Sequence, residues 1–168
     1  MRKVWALIGS AIFFVIAPGT FTVLLPWSYT RFEPAPPFFG IVELRYAGVA
    51  LAGAGLVPLI ESFVRFALKG LGTPAPVAPP SRLVVTGFYR HTRNPMYVGL
   101  TAIVLGEALL LGSRALLWEA AVMAAGFHLF VLAYEEPVLG SLFGAQYQSY
   151  RAHVPRWLPR LFPWTPEA

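Results

Sequence analysis

Apolar residues along the chain gather into four long runs, each parted from the next by a short polar or proline-rich break. The first, Val4 to Tyr29, holds no charged residue. As a helix it would measure roughly 39 Å at about 1.5 Å per residue, against a bilayer hydrocarbon core of about 30 Å. It is too long for a signal-peptide core and lacks a small-residue cleavage site, which predicts a retained span. Pro18-Gly19 predicts a kink, and Pro26-Trp27 with Tyr29 marks the far interface. A proline-rich loop, Arg31 to Phe39, follows. The second run centres on Tyr46 to Ile60, where Gly48, Ala52 and Gly55 recur on one helical face and predict close packing with a neighbouring helix. Glu61 and Arg65, four apart, are placed to pair near the interface. Gly72 to Pro80 reads as an extended polyproline linker, and Ser81 to Val85 as a short extended segment. Met96 to Leu111 and Ala115 to Tyr134 are joined only by Gly112-Ser113-Arg114, which predicts an antiparallel helical hairpin. The expected architecture is an all-α integral membrane protein with about four transmembrane helices, a C-terminal interfacial helix and, at the cytoplasmic face, a pocket for a charged small molecule. Residues 1–71 carry the first two spans; residues 72–168 form one functional unit of linker, motif region, hairpin and interfacial tail.

Composition supports the membrane reading. Charged residues make up 12% of the 168, against about 25% in a soluble domain, and the mean hydropathy is +0.60. The net charge of +5 therefore reports topology rather than nucleic-acid binding. With the four spans starting inside, ten of the thirteen cations (Arg2, Lys3, Arg65, Lys69, Arg82, Arg90, Arg93, Arg151, Arg156, Arg160) fall on the cytoplasmic side. Arg31, Arg45 and Arg114 fall outside. The Lys/Arg excess of cytoplasmic loops thus places both termini and the motif region in the cytoplasm. The chain has no Cys and no Asp, and its three histidines, His91, His128 and His153, are isolated. Thiolate chemistry is excluded, and neither a metal site nor a two-metal enzyme is expected.

Candidate chemistry concentrates in Thr86-Gly-Phe-Tyr-Arg-His-Thr-Arg-Asn-Pro-Met-Tyr-Val-Gly99, where cationic, aromatic and amide side chains abut an apolar run. Pro95 suits the first turn of a helix, whose unpaired backbone donors make a place for an anionic group. A plain interfacial collar of Arg and Tyr is the alternative. Glu135-Glu136-Pro137 ends the last run at the same face and depth. Two adjacent carboxylates there require a cation, either Arg90 and Arg93 or a cationic ligand. Glu107 and Glu119 flank the hairpin turn at the far interface, and His128, deeper in the last run, is expected to hydrogen-bond a neighbouring helix.

Gly87-Phe-Tyr89-Arg90-x-x-Arg93-Asn94-Pro95-x-Tyr97-x-Gly99, followed by Glu135-Glu136-Pro137, Phe143-Gly144, Tyr147, Tyr150 and Val154-Pro155, resembles the isoprenylcysteine carboxyl methyltransferase family, itself related to the phospholipid methyltransferases. The resemblance spans about half the chain, Ser81 to Pro159. It implies a membrane enzyme that binds S-adenosyl-L-methionine without a Rossmann domain, in keeping with the lack of a Gly-x-Gly-x-x-Gly motif here. The cofactor-binding residues it implies are Ser81, Arg82, Leu83, Val84, Tyr89, Asn94, Pro95, Met96, Tyr97 and Glu135; the chemistry of the side chains adds Glu136 as a candidate and gives Tyr97 and Arg93 positioning roles. Two departures stand out. The family's His before proline is Asn94 here, and the Arg that meets substrate four residues before the first Glu is Val131.

A methyl-transfer reading suits these residue types. Glu135 or Glu136 can take the cofactor's ammonium, Arg93 and helix-start N–H groups its carboxylate, and Tyr89 or Tyr97 its adenine. Val131, Arg151 and His128 are the candidate acceptor contacts. The implied partners are a lipophilic or lipid-modified acceptor and the bilayer, with no metal and no nucleic acid. Carboxyl methylation of an isoprenylcysteine-like acceptor stands first. Phospholipid N-methylation or small-thiol S-methylation is the alternative among enzymes, and a small transporter or scaffold the alternative outside them.

Overall fold

The computed structural model describes residue 12 and residues 15–69 and 82–165, the side chains of 66–69 excepted. The expected polyproline linker and Ser81 lie outside the described residues, as do the start of the first run and the last three residues. Among the described residues every regular element is helical. Helix α1 covers 15–30, with a π turn at Thr20–Leu24 between two α-helical pieces; α2 is Glu43–Lys69, α3 Pro95–Leu111 and α4 Arg114–Phe130. A second π turn, Val131–Glu135, leads without a break into α5, Glu136–His153. Among the described residues two stretches are long and apolar enough to cross a membrane, Glu43–Arg65 and Arg114–His153; α3, at 17 residues, is shorter.

The last apolar run does not leave the helix at Tyr134, as the sequence pattern suggested, and Pro137 explains how. Proline has no N–H for the carbonyl four residues back and crowds it. The residue just before it, Glu136, instead bonds the carbonyl of Val131, five residues back. The extra residue in that turn absorbs the conflict. The same device operates in α1, where Leu25, just before Pro26, bonds Thr20. The kink expected at Pro18-Gly19 is thus a π turn over the five residues that follow.

The centre of the fold is the α2–α3 pair, and it is close because both faces are small. A Cβ added at Gly48 would lie 2.5 Å from the Gly106 carbonyl oxygen, and one at Gly55 would lie 2.6 Å from that of Gly99. Ala52 and Ala102 complete the contact. The small-residue face of the second run therefore serves core packing, as its spacing predicted. Around it, Leu59, Phe63, Leu100, Ile103, Val104 and Leu111 join Leu116, Ala120 and Met123 of α4 in one apolar core. The α3–α4 hairpin turns at Gly112, whose φ of +66° suits glycine, and Ser113 caps α4 through Leu116 N–H at 3.5 Å. Residues 33–37 close the same end: Ala35 N–H donates to Leu111 O at 2.8 Å, and Arg45 reaches Ala35 O. There Tyr29 hydrogen-bonds Glu119. Tyr46, Val49, Trp118, Val122 and Leu129 stand outward on α2 and α4, more than half exposed, forming an apolar surface of the kind a bilayer covers.

Candidate functional site

At the opposite end of α3, a single 3₁₀ turn, Gly87–Arg90, delivers the motif to the helix start. Gly87 has φ +61° and lies hard against the Glu61–Arg65 ion pair, which forms on α2 as the spacing predicted; a Cβ there would collide with both side chains. Pro95 occupies the first turn of α3.

The next layer comes from the far end of the sequence. Residues 154–165 lie as a strap against 90–94, joined largely through the backbone. Arg93 N–H donates to Pro155 O at 2.9 Å, Arg160 N–H to His91 O at 3.0 Å, and Trp164 N–H to Arg90 O at 3.0 Å. Side chains add to this: Thr92 Oγ1 and Asn94 Nδ2 both donate to Arg156 O, and Arg90 Nε donates to Trp164 O. His91 Nδ1 faces the Arg160 carbonyl at 2.8 Å and must donate to it, because a carbonyl only accepts. Underneath, Tyr147, Tyr150 and Val154 form a second core with Leu83, Val85 and Trp164. The Tyr150 hydroxyl donates to Tyr89 O at 2.6 Å.

The two glutamates, adjacent in sequence, have different surroundings. Glu136 is buried and accepts from Arg93 Nη1 at 2.8 Å and from Arg156 Nε and Nη2 at 2.5 and 3.0 Å. Arg156 thus grips it through two nitrogens, and the Glu136 carboxylate holds the guanidinium pKa above its ordinary value. Glu135 is half-buried and accepts from the Tyr97 hydroxyl at 2.5 Å. Among the described residues it forms no ion pair. The π turn separates the two environments, ending on Glu135 and handing Glu136 to α5.

Arg90, one of two arginines expected to serve the acidic pair, turns instead to the strap; Arg93 does pair, with Glu136. The Tyr97 ring stacks on Phe127, centroids 4.4 Å apart. Tyr89 is a core residue: its ring is buried, and burial pushes its phenol pKa well above the ordinary value. Asn94 is buried beneath the strap, and Met96 packs on the main core. Arg82 is exposed, and Leu83 and Val84 are half-buried in the extended segment before the motif. Val131 is 1% exposed inside the π turn, and Arg151 is exposed on α5. His128 accepts at Nδ1 from Trp157 Nε1 at 3.0 Å, so its partner is the strap rather than a spanning helix. Sequence reasoning missed Trp157 in this role and Arg156 as the second clamp on Glu136. Their one signal was position: Arg156-Trp157 sits between Pro155 and Pro159, a stretch stiff enough to present two side chains.

Cavities open beside the motif among the described residues. One, of about 390 Å³ and almost wholly apolar, lies between α3, α4 and the strap, with Tyr97, Phe127, His128, Trp157 and Leu158 in its wall. Another, of about 260 Å³, lies between α2 and the motif and includes Pro58, Phe88, His91 and Pro95. Val98, Ala102 and Pro159 border both. Among the described residues no group of three or more His, Cys, Asp or Glu side chains is placed to hold a metal ion.

The protein-S-isoprenylcysteine O-methyltransferase of Schizosaccharomyces pombe is 35% identical over 77 residues, 46% of this chain and 33% of that protein. The match thus spans about a third of the relative's length. No solved structure matches the chain significantly. The model of the phospholipid methyltransferase family matches residues 44–146, from the start of α2 through the motif and both glutamates into α5. The chain belongs to the phospholipid methyltransferase family.

Proposed function

We propose that the protein is a multi-pass membrane methyltransferase that uses S-adenosyl-L-methionine to methylate the carboxylate of a lipophilic, isoprenylcysteine-like acceptor. The observation that carries this reading is the unequal state of the two glutamates. Glu136 already has two arginines, whereas Glu135 has a tyrosine hydroxyl and, among the described residues, no cation. A carboxylate at a membrane boundary without a counter-ion is costly, and a ligand ammonium relieves that cost. Glu135 would therefore hold the cofactor's ammonium, and Tyr97 would fix the orientation of the Glu135 carboxylate. The donors at the start of α3 suit the cofactor's carboxylate. Arg93, although committed to Glu136, retains a buried Nε without a partner among the described residues.

When bound, the cofactor supplies its sulfonium methyl: the S–CH₃ bond breaks with its electron pair left on sulfur while an acceptor carboxylate oxygen forms the new O–CH₃ bond. A carboxylate is already ionised at neutral pH, so the protein needs neither a general base nor a metal for this reaction. Its task is to align the two partners and exclude water. The apolar cavity bounded by Tyr97 would hold the acceptor's hydrocarbon chain, with Tyr97 also bonded to the Glu135 carboxylate. Four spans with both termini and the site in the cytoplasm complete the proposal. It rests on the cation distribution and on the outward apolar faces of α2 and α4.

The test is calorimetric binding of S-adenosylhomocysteine in nanodiscs. Glu135→Ala should weaken it by about 1.5–3 kcal/mol, the range for a charge-assisted hydrogen bond. Tyr97→Phe should weaken it less, by about 0.5–1.5 kcal/mol. Unchanged affinity in Glu135→Ala removes Glu135 from the site. Methyl transfer from a tritiated donor to an S-farnesylcysteine, to phosphatidylethanolamine and to a small thiol decides the acceptor.

A further inference from the structure

The larger cavity has an almost wholly apolar wall, so its few polar groups decide what a bound molecule must offer. Two are already occupied. The Tyr97 hydroxyl donates to Glu135, and Thr101 Oγ1 donates to Tyr97 O at 2.8 Å. The remaining pair is His128 with Trp157. An indole N–H only donates, so the 3.0 Å contact from Trp157 Nε1 requires His128 Nδ1 to accept. An accepting Nδ1 carries no proton. The imidazole is therefore neutral and its proton sits on Nε2. Among the described residues the Nε2–H has no hydrogen-bond partner. His128 and Trp157 line the same cavity as Tyr97, whose ring stacks on Phe127, the residue before His128 on α4.

Resting on the methyl-transfer reading above, we infer that His128 Nε2–H is the group that orients the acceptor, by donating to an oxygen of its carboxylate, and that Trp157 holds the ring in the tautomer that makes this possible. In the transfer, one carboxylate oxygen would take the methyl as the S–CH₃ bond breaks with its electron pair left on sulfur, while the other oxygen stays on Nε2–H; no proton moves, and the spent cofactor leaves as a neutral thioether. The role answers the absence of a cation at Val131, because the cavity then recognises the carboxylate with a neutral donor. It also sets specificity. A reacting amine spends its one lone pair on the methyl carbon and has none left to accept from Nε2–H, whereas a carboxylate keeps a second oxygen that accepts throughout. His128 would be a catalytic residue in contact with the acceptor and Trp157 a positioning residue.

The experiment uses the full chain in nanodiscs with N-acetyl-S-farnesylcysteine as acceptor. His128→Phe should raise the KM for that acceptor about tenfold or more, the scale of a lost hydrogen bond to a charged group. Affinity for S-adenosylhomocysteine should stay within about twofold, since the lost bond is not to the cofactor and a retained affinity shows that the variant folds. His128→Gln, which keeps an N–H near Nε2, should recover most of the loss. Nitrogen-15 spectra of labelled histidine give a readout independent of activity. Wild type should show a neutral His128 protonated at Nε2, and Trp157→Phe a mixture of the two tautomers. An unchanged acceptor KM in His128→Phe overturns the inference, as does a wild-type His128 protonated at Nδ1. Wild type that binds S-adenosylhomocysteine and methylates only phosphatidylethanolamine overturns it too, while leaving a methyltransferase in place. Failure to bind S-adenosylhomocysteine at all would instead sink the underlying functional reading.

Discussion

Gly106→Ala puts the close contact between α2 and α3 to a quantitative test. The added Cβ would lie 2.5 Å from Gly48 O, 2.7 Å from Ala52 N and 2.8 Å from Ala52 Cβ. Ordinary contact starts at 3.4 Å, so relief requires a separation of about 0.9 Å (3.4 − 2.5) along the shortest approach. The opposing atoms are backbone or Cβ, and no rotamer change moves them aside. The helices must part, and a gap of about 0.5–1 Å forfeits a quarter to a half of each dispersion contact along the seam. Gly55 and Gly99, further along the same seam, would lose contact as well. Overpacking of this kind costs about 1–3 kcal/mol. Gly53→Ala is the matched control. It lies on the facing helix, α2, with nothing within 4 Å of a Cβ, so it should be neutral or stabilising by up to about 1 kcal/mol through helix propensity. Equilibrium unfolding of purified protein in mild detergent measures both. Equal stability of Gly106→Ala and wild type would refute the close-packing argument, as would a Gly53→Ala loss as large as that of Gly106→Ala.

Two further predictions concern the strap and the topology. Arg156→Ala removes a two-nitrogen grip on a buried carboxylate that Arg93 alone then holds; it should cost about 1.5–3 kcal/mol and speed proteolysis within 154–165. Cleavage at the wild-type rate would make the clamp irrelevant to the strap. Ser28→Cys or Ser113→Cys should label with an impermeant maleimide from outside intact cells, and Thr73→Cys should not; labelling at Thr73 would place the site on the outer face. The cysteine-free sequence makes each label unambiguous.

What the sequence made legible was whatever depends on local spacing. Gly48, Ala52 and Gly55 announced a close helix contact, Glu61 and Arg65 an ion pair, and Gly112-Ser113-Arg114 a tight hairpin; each is present. The motif from Gly87 to Gly99 and the Glu135-Glu136 pair converged as expected, with Tyr97 reaching one glutamate and Arg93 the other. Hidden from spacing was the division of labour between Glu135 and Glu136, which depends on a π turn set by a proline and on an arginine 20 residues away. The strap was hidden for a different reason. Most of its bonds run between backbone groups or from side chains to carbonyls, and these carry no side-chain pattern from which a partner can be read.

That strap bears on how the molecule comes into being. Synthesis runs from the first residue to the last, so the motif at 87–99 and both glutamates leave the ribosome before Arg156, Trp157, Arg160 and Trp164 exist. Until those residues arrive, Glu136 has one arginine instead of two, His128 lacks its indole, and the carbonyls of Arg90 and His91 have only water to accept from. The apolar helices need none of these bonds to enter a bilayer. Insertion and completion of the pocket are thus separate events, and a message cut short before codon 154 would yield a chain that reaches the membrane with its cavity unroofed. Quality control acting on such a chain would find its signal in an unsatisfied rim at the membrane surface, since the apolar segments of the truncated and the finished protein are the same.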